Sequence, residues 1–171
     1  TGCRVLSDCF PARLDRGAGV PPVDRIPYFP ELVLDRLKGL RHLILVSAPA
    51  PVAFFKYEEY PSSLVPEGCN TITLANLEED AHFALNAVAE GLNAPLQPGT
   101  ITEHSRPVSP SGELTTKSVG QSIGALLPEG AIIADESATS GGPTYFLTQQ
   151  CPRHSAMYLT GGGIGMGLPL A

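Results

Sequence analysis

The sequence predicts an α/β fold with a parallel sheet, on three observations. Helical stripes and short apolar runs follow one another in the order helix, strand, loop, strand, helix, the alternation that builds parallel sheets. One of those runs, Leu43 to Val46, is continuous and not alternating, as expected of a strand covered on both faces. Two polar, glycine-bearing segments, Asp135–Gly142 and Thr160–Gly167, each come after such a run, where open parallel sheets carry their ligand loops.

The elements follow in order. Val5 to Phe10 reads as a short strand, and Arg13 to Pro30 is too rich in Gly and Pro for regular structure. Leu32, Val33, Leu34, Leu37 and Leu40 form a broad helical stripe, with Pro30 ahead of it and Gly39 near its end. The strand Leu43–Val46 stops at Ser47–Pro51, and a second strand covers Thr71–Leu74. Asn76 is expected to cap the next helix, with Glu79 completing a capping box and Leu77, Ala81, Ala84, Leu85 and Val88 on one face. From Gly91 to about Thr116 periodicity disappears and Pro95, Pro98, Pro107 and Pro110 suggest an extended tether. Beyond it Val119, Ile123, Leu126 and Leu127 make a helical stripe, Pro128-Glu129-Gly130 turns the chain, and Ala131–Ala134 and Met157–Leu159 read as strands.

Composition excludes several functions. A net charge of -6, with 11 Lys and Arg in no basic stripe, offers a nucleic-acid backbone no electrostatic footprint. No run of 18 apolar residues and no basic, then apolar, leader is present, so no membrane partner is expected and a cytoplasmic protein is the default reading. Cys3, Cys9, Cys69 and Cys151 lack C-x-x-C or Cys/His spacing, so zinc and redox readings lack their pattern and buried free thiols are expected. The chain opens at Thr1 without Met and closes on Leu168-Pro169-Leu170-Ala171, residues suited to the first turn of a helix that one turn could not stabilise. A fragment is therefore expected.

Backbone amides and hydroxyls in glycine-rich turns can cradle phosphate oxygens, which makes a diphosphate the candidate ligand of the two loops. A structural turn is an equally good reading of glycines alone. The dinucleotide fingerprint is not met: Gly161 and Gly163 are followed by Met166, and Gly163 and Gly165 by Leu168. A Walker-type loop is excluded because its lysine is missing.

Gly161-Gly162-Gly163-Ile164-Gly165-Met166-Gly167-Leu168-Pro169 resembles the strand-to-helix turn of thiamine-diphosphate-dependent decarboxylases and carboligases. Ala134-Asp135-Glu136-Ser137-Ala138-Thr139-Ser140 is similar to their acidic and hydroxyl-bearing strand end, at the spacing found in benzoylformate decarboxylase. Arg16-Gly17-Ala18-Gly19, Leu43–Tyr60 and the strand at Thr71 resemble the second half of the central domain of acetolactate synthase large-subunit-like proteins. The resemblance implies an interior fragment: residues 1–91 as the second half of a Rossmann-like central domain, 92–117 as a linker, and 118–171 as the start of the diphosphate-binding domain. By the same resemblance, Ile164 is the apolar residue beneath the cofactor that bends its two rings into a V. Gly162 offers a carbonyl to the aminopyrimidine, Gly163 continues that turn, and Thr139 and Ser140 supply hydroxyls to the diphosphate. Ala138 departs from benzoylformate decarboxylase, which has a hydroxyl there.

Thiamine diphosphate and Mg2+ are thus the implied cofactors, with the family's activating glutamate and its metal-binding motif expected outside these residues. The implied activity is decarboxylation of a 2-oxo acid with carboligation, acetolactate synthesis foremost, in a homo-oligomer. Asp135 and Glu136 are read as a solvated turn. Glu58 stands where benzoylformate decarboxylase presents a histidine, and is weighed as a substrate-facing carboxylate against an exposed surface acid. Two other classes remain: decarboxylation of a different 2-oxo acid, or a non-catalytic nucleotide-binding or scaffold module. His42, His82, His104 and His154 match no catalytic or ligand spacing.

Overall fold

A computed structural model describes residues 2–171. The chain forms two compact units: one holds the described residues through Asp24 together with Pro98–Ala171, and the other holds Arg25–Gln97. In chain order the strands are β1 Leu6–Ser7, β2 Arg13–Arg16, β3 Asp24–Arg25, β4 His42–Val46, β5 Asn70–Ala75, β6 Ile132–Ala134 and β7 His154–Met157. The helices are α1 Pro30–Leu37, α2 Ala81–Gly91, α3 Thr116–Leu126, α4 Gly142–Leu147 and α5 Gly167–Leu170. The α/β class expected from the alternation is therefore present, with parallel pairing in both units.

In the unit of residues 25–97, β4 and β5 pair in parallel, with Leu43 opposite Thr71 and Ile44 opposite Ile72. Pro30 opens α1, where a missing amide costs no helical bond, and Val33 and Leu37 are buried one turn apart. Gly39 follows at φ 77, a left-handed stop that suits glycine. Burial on both faces of β4 is not what the structure shows: Ile44 and its neighbour Ile72 are exposed, while Leu43, Leu45 and Val46 are half-buried. A continuous apolar run reports hydrophobicity on both faces, but only packed neighbours can cover them. The cap of α2 is Asp80 and not Asn76, because the Asp80 carboxylate accepts from the Phe83 amide at 2.9 Å. Asn76 instead forms a closed turn in which its backbone and side-chain amides both donate to Glu79 Oε2, at 2.6 and 3.0 Å.

The other unit is built on a three-stranded sheet in the order β2-β7-β6, with β7 central, β6 parallel to it and β2 antiparallel. Arg13–Arg16, expected to be irregular, is thus an edge strand, since pairing with β7 gives its backbone the partners that its composition does not advertise. Central β7 also begins earlier than expected, at His154, with Tyr158 and Leu159 buried just past its end. A tight approach locks β2 to the turn before β7: at Gly17, φ 101, a Cβ would lie 2.6 Å from the carbonyl oxygens of Cys151 and Pro152.

Helix α3 starts at a capping box between Thr115 and Ser118. Its buried face is formed by glycines and by only part of the expected stripe: Gly120, Gly124 and, at the helix end, Leu127 are buried and Ile123 is half-buried, whereas Val119 and Leu126 are 40% and 78% exposed. A Cβ on Gly120 would stand 2.9 Å from the Thr144 amide nitrogen, and one on Gly124 2.9 Å from Leu147 O. Backbone-to-backbone closeness with α4 selects those residues. The Pro-rich stretch before α3 is extended and hydrogen-bonded: Thr102 accepts from Gly19 and donates to Val20 O, both at 2.9 Å, and Ser105 donates to Gln150 O at 2.8 Å.

Candidate functional site at the carboxyl ends of β6 and β7

Parallel pairing sets Ala134 opposite Met157, so both glycine-bearing loops leave the same end of the sheet. Asp135 N–H extends the ladder by donating to Met157 O at 2.8 Å. The first loop then folds on itself. Asp135 Oδ1 accepts from the Ser137 amide at 2.9 Å and from the Ser137 hydroxyl, and Ser140 N–H donates to Ser137 O at 2.8 Å. Gly141 closes the loop where a Cβ would meet Ser137 Oγ and the Asp135 carboxylate. Ala138 sits at φ 42, a left-handed conformation that costs a non-glycine residue roughly 1–2 kcal/mol and concentrates at functional loops. Thr139 and Ser140 are exposed, and the Ser140 hydroxyl donates to Ser137 O at 3.2 Å.

The second loop follows buried Tyr158 and Leu159. Thr160–Gly162 makes a single 3-10 turn, in which Gly162 N–H donates to Leu159 O and Gly163 N–H to Thr160 O, at 3.0 and 3.2 Å. Gly161, Gly162 and Gly165 have φ of 61, 78 and 94, so this path is open to glycine and to few other residues. Ile164 projects from it 82% exposed. At Gly162 a Cβ would have only the Phe10 ring nearby, at 3.6 Å, and Gly163 is exposed. The backbone of this turn is therefore uncrowded.

Glu136 joins the two loops. Its Oε2 accepts from the Gly167 amide at 2.7 Å and its Oε1 accepts from the Gly165 amide. The solvated-turn reading of Glu136 is corrected by this geometry, and Asp135 is likewise engaged inside its own loop. Sequence reasoning missed the bridge; the signal available was an acid at one strand end beside an amide-rich turn at another. Missed too was α4, whose Pro143 lies in its first turn.

Glu58 is exposed and belongs to the unit of residues 25–97, on a loop closed by a bridge between Val52 and Ser63. Ala53 N–H donates to Ser62 O and Leu64 N–H to Pro51 O, both at 2.9 Å, and buried Leu64 anchors the base of that loop.

Buried Arg16, in β2, lies opposite His154, and its guanidinium reaches the hydroxyl of Tyr158, just past the end of β7. Its guanidinium donates to Tyr145 O at 2.6 Å, to Tyr158 Oη at 3.2 Å and to Thr148 Oγ1 at 3.4 Å. His154, buried in β7, has Nδ1 2.8 Å from Pro152 O, and its Nε2 has no hydrogen-bond partner. Burial holds the His154 pKa below the ordinary histidine value, the Pro152 carbonyl opposes this, and the nearby Arg16 charge reinforces it.

Hydroxyls and uncrowded backbone suit a phosphate-bearing cofactor. Residues 135–171 contain one cation, Arg153, on the opposite side of β7 from its loop end, while Asp135 and Glu136 add negative charge. A diphosphate at these loops thus requires a cation to neutralise it. Among the described residues no group of three or more His, Cys, Asp or Glu could hold a metal ion. No helix among them is long and apolar enough to cross a membrane.

No family model matches the chain. No solved structure matches it either. Over all 171 residues it is 45% identical to a Mycobacterium tuberculosis (strain ATCC 25618 / H37Rv) protein named "Putative acetolactate synthase large subunit IlvX". The chain spans 33% of the length of that relative.

Proposed function

We propose that this chain is part of a thiamine-diphosphate-dependent enzyme of the acetolactate synthase type, acting on a 2-oxo acid by decarboxylation and carboligation. The observation that carries the reading is the meeting of the two loops at adjacent parallel strand ends, tied by Glu136. Support comes also from the 45% identity, over all 171 residues of this chain and 33% of the relative's length, to the protein named "Putative acetolactate synthase large subunit IlvX". A dinucleotide or Walker-type site would need a fingerprint or a lysine that the glycine turn lacks.

In this reading residues 1–91 are the later half of a central domain, 92–117 the connection, and 118–171 the beginning of the diphosphate-binding domain. Thiamine diphosphate would supply, when bound, the carbon nucleophile and electron sink that decarboxylation of a 2-oxo acid needs. The chain's own residues bind and shape. Thr139 and Ser140 donate hydroxyl hydrogen bonds to diphosphate oxygens, and the Gly162 carbonyl accepts from the aminopyrimidine. Gly163 lets the backbone pass close to the ring, because no side chain intervenes. Ile164 is the apolar support under the bent cofactor, a role that accounts for a large hydrophobic side chain left 82% exposed.

The motif that would hold the accompanying Mg2+ lies outside these residues in this reading, in keeping with the lack of a group of three or more His, Cys, Asp or Glu among the described ones. Glu58 is a substrate-side carboxylate in this reading. The whole protein is a homo-oligomer working in the cytoplasm, with no nucleic-acid or membrane partner.

The test is a calorimetric titration of the longest natural protein containing this chain with thiamine diphosphate and Mg2+, beside the 171-residue chain itself. Saturable binding by the longer protein is expected. In the same protein Ile164→Ala is expected to abolish most turnover with the fold retained. Absence of binding, or unchanged turnover, overturns the proposal.

A further inference from the structure

The glycine turn that carries Ile164 has little to hold it by side-chain packing. Gly161, Gly163 and Gly165 contribute no side chain, and the side chain of Ile164 is 82% exposed. A segment of this kind pays a high entropy cost to stay in one conformation. Its fixed points are polar. Thr160 N–H is 3.4 Å from Met166 Sδ, which draws the two ends of the turn together, and the Gly165 and Gly167 amides both donate to the Glu136 carboxylate.

The fit around Glu136 is close on the Gly167 side. Gly167 is buried, and a Cβ there would lie 2.7 Å from Glu136 Cβ and 2.8 Å from Oε2. Any other residue at 167 displaces the carboxylate. Glu136 is itself half-buried, and it follows Asp135, whose amide is bonded into β7 at Met157 O. The acid is therefore anchored to the sheet on one side and grips the turn with both oxygens on the other.

We infer that Glu136 is the positioning residue of the glycine turn: by holding the amides on either side of Met166 it fixes the backbone that presents Ile164. This rests on the reading of Ile164 as the support of the cofactor, and it adds a residue that touches neither cofactor nor substrate. Two oxygens and two amides match one to one. A carboxamide keeps a single acceptor and turns a donor toward the second amide, so Gln cannot replace Glu in full.

The opposite role for the same contact is a plug, with Glu136 occupying amides that a phosphate would otherwise use. The two roles differ in sign. Glu136→Gln and Glu136→Ala are made in the longest natural protein, with hydrogen exchange of residues 160–167 and of β7 followed by mass spectrometry, without cofactor. Thiamine diphosphate binding is measured on the same samples. A brace predicts exchange at Gly165 and Gly167 about tenfold faster or more in Glu136→Ala, an intermediate effect in Glu136→Gln, and unchanged exchange in β7. Cofactor binding then weakens in the same order. Unchanged exchange of the turn overturns the inference, and so does tighter cofactor binding in Glu136→Ala, the signature of a plug. If the unsubstituted protein binds no thiamine diphosphate, the functional reading falls, while the exchange result still decides whether Glu136 braces the turn.

Discussion

The guanidinium of Arg16 lies 3.9 Å from the centroid of the Tyr145 ring, and the same group donates to the Tyr145 carbonyl at 2.6 Å. One arginine thus ties an edge strand to a helix 129 residues later in the chain, through both the face and the backbone of a single tyrosine. A cation over an aromatic face is worth about 0.5–2 kcal/mol, and a charged hydrogen bond about 1.5–3 kcal/mol.

Arg16→Met is accordingly expected to destabilise the unit of the three-stranded sheet by about 2–4 kcal/mol. Arg16→Lys recovers less than half of this, because an ammonium lacks the planar fork that reaches Tyr145, Tyr158 and Thr148 together. Urea unfolding monitored by amide exchange in β7 measures both. Equal stability of Arg16→Met and the parent chain would mean that the stack contributes nothing.

Glycines in helices should divide by environment. Gly120→Ala and Gly124→Ala force a methyl against Thr144 N and Leu147 O, each at 2.9 Å, and overpacking of about 1–3 kcal/mol outweighs the gain of up to about 1 kcal/mol in helix propensity. Gly91→Ala, at the end of α2 with nothing within 4 Å of its Cβ, is expected to raise stability by up to about 1 kcal/mol. Thermal unfolding of the three variants reads the opposite signs directly.

His154 makes stability depend on pH. Its folded pKa is held down by burial, so between that value and about 6.5 the unfolded chain binds more protons than the folded one. Its contribution is present in full above about pH 6.5 and is lost as pH falls through the folded value. His154→Phe is expected to flatten the pH profile of stability in that window, while leaving Pro152 O without its donor. A profile unchanged by the substitution would assign the pH dependence to other groups.

The four thiols should react in order of exposure. The expectation of buried thiols holds for Cys9 and Cys151, whereas Cys3 is exposed and Cys69 half-buried. Burial also raises the pKa of Cys151, against the opposing charges of Arg106 and Arg16, and its thiol lies 3.2 Å from Gly124 O. Maleimide labelling of the folded chain, followed by peptide mapping, is expected to mark Cys3 first and Cys151 only after unfolding.

The sequence by itself determined the α/β class, the approximate positions of α1, β4, β5, α3 and β6, and the two loops worth attention. These are local matters, because apolar periodicity, Pro30 at a helix start and glycine-rich turns after apolar runs all act within a few residues. Tertiary structure decided the rest. Arg13–Arg16 reads as loop until β7 lies beside it, and the buried face of α3 is chosen by how closely α4 approaches, which favours Gly120 and Gly124 over larger neighbours. Glu136 reads as a solvent-facing acid until β6 and β7 pair in parallel and deliver the amides of Gly165 and Gly167 to it from 29 and 31 residues away. Hydrogen bonds at such separations depend on which strands are neighbours. That order is fixed by the packing of the whole unit, and no local pattern of residue types encodes it.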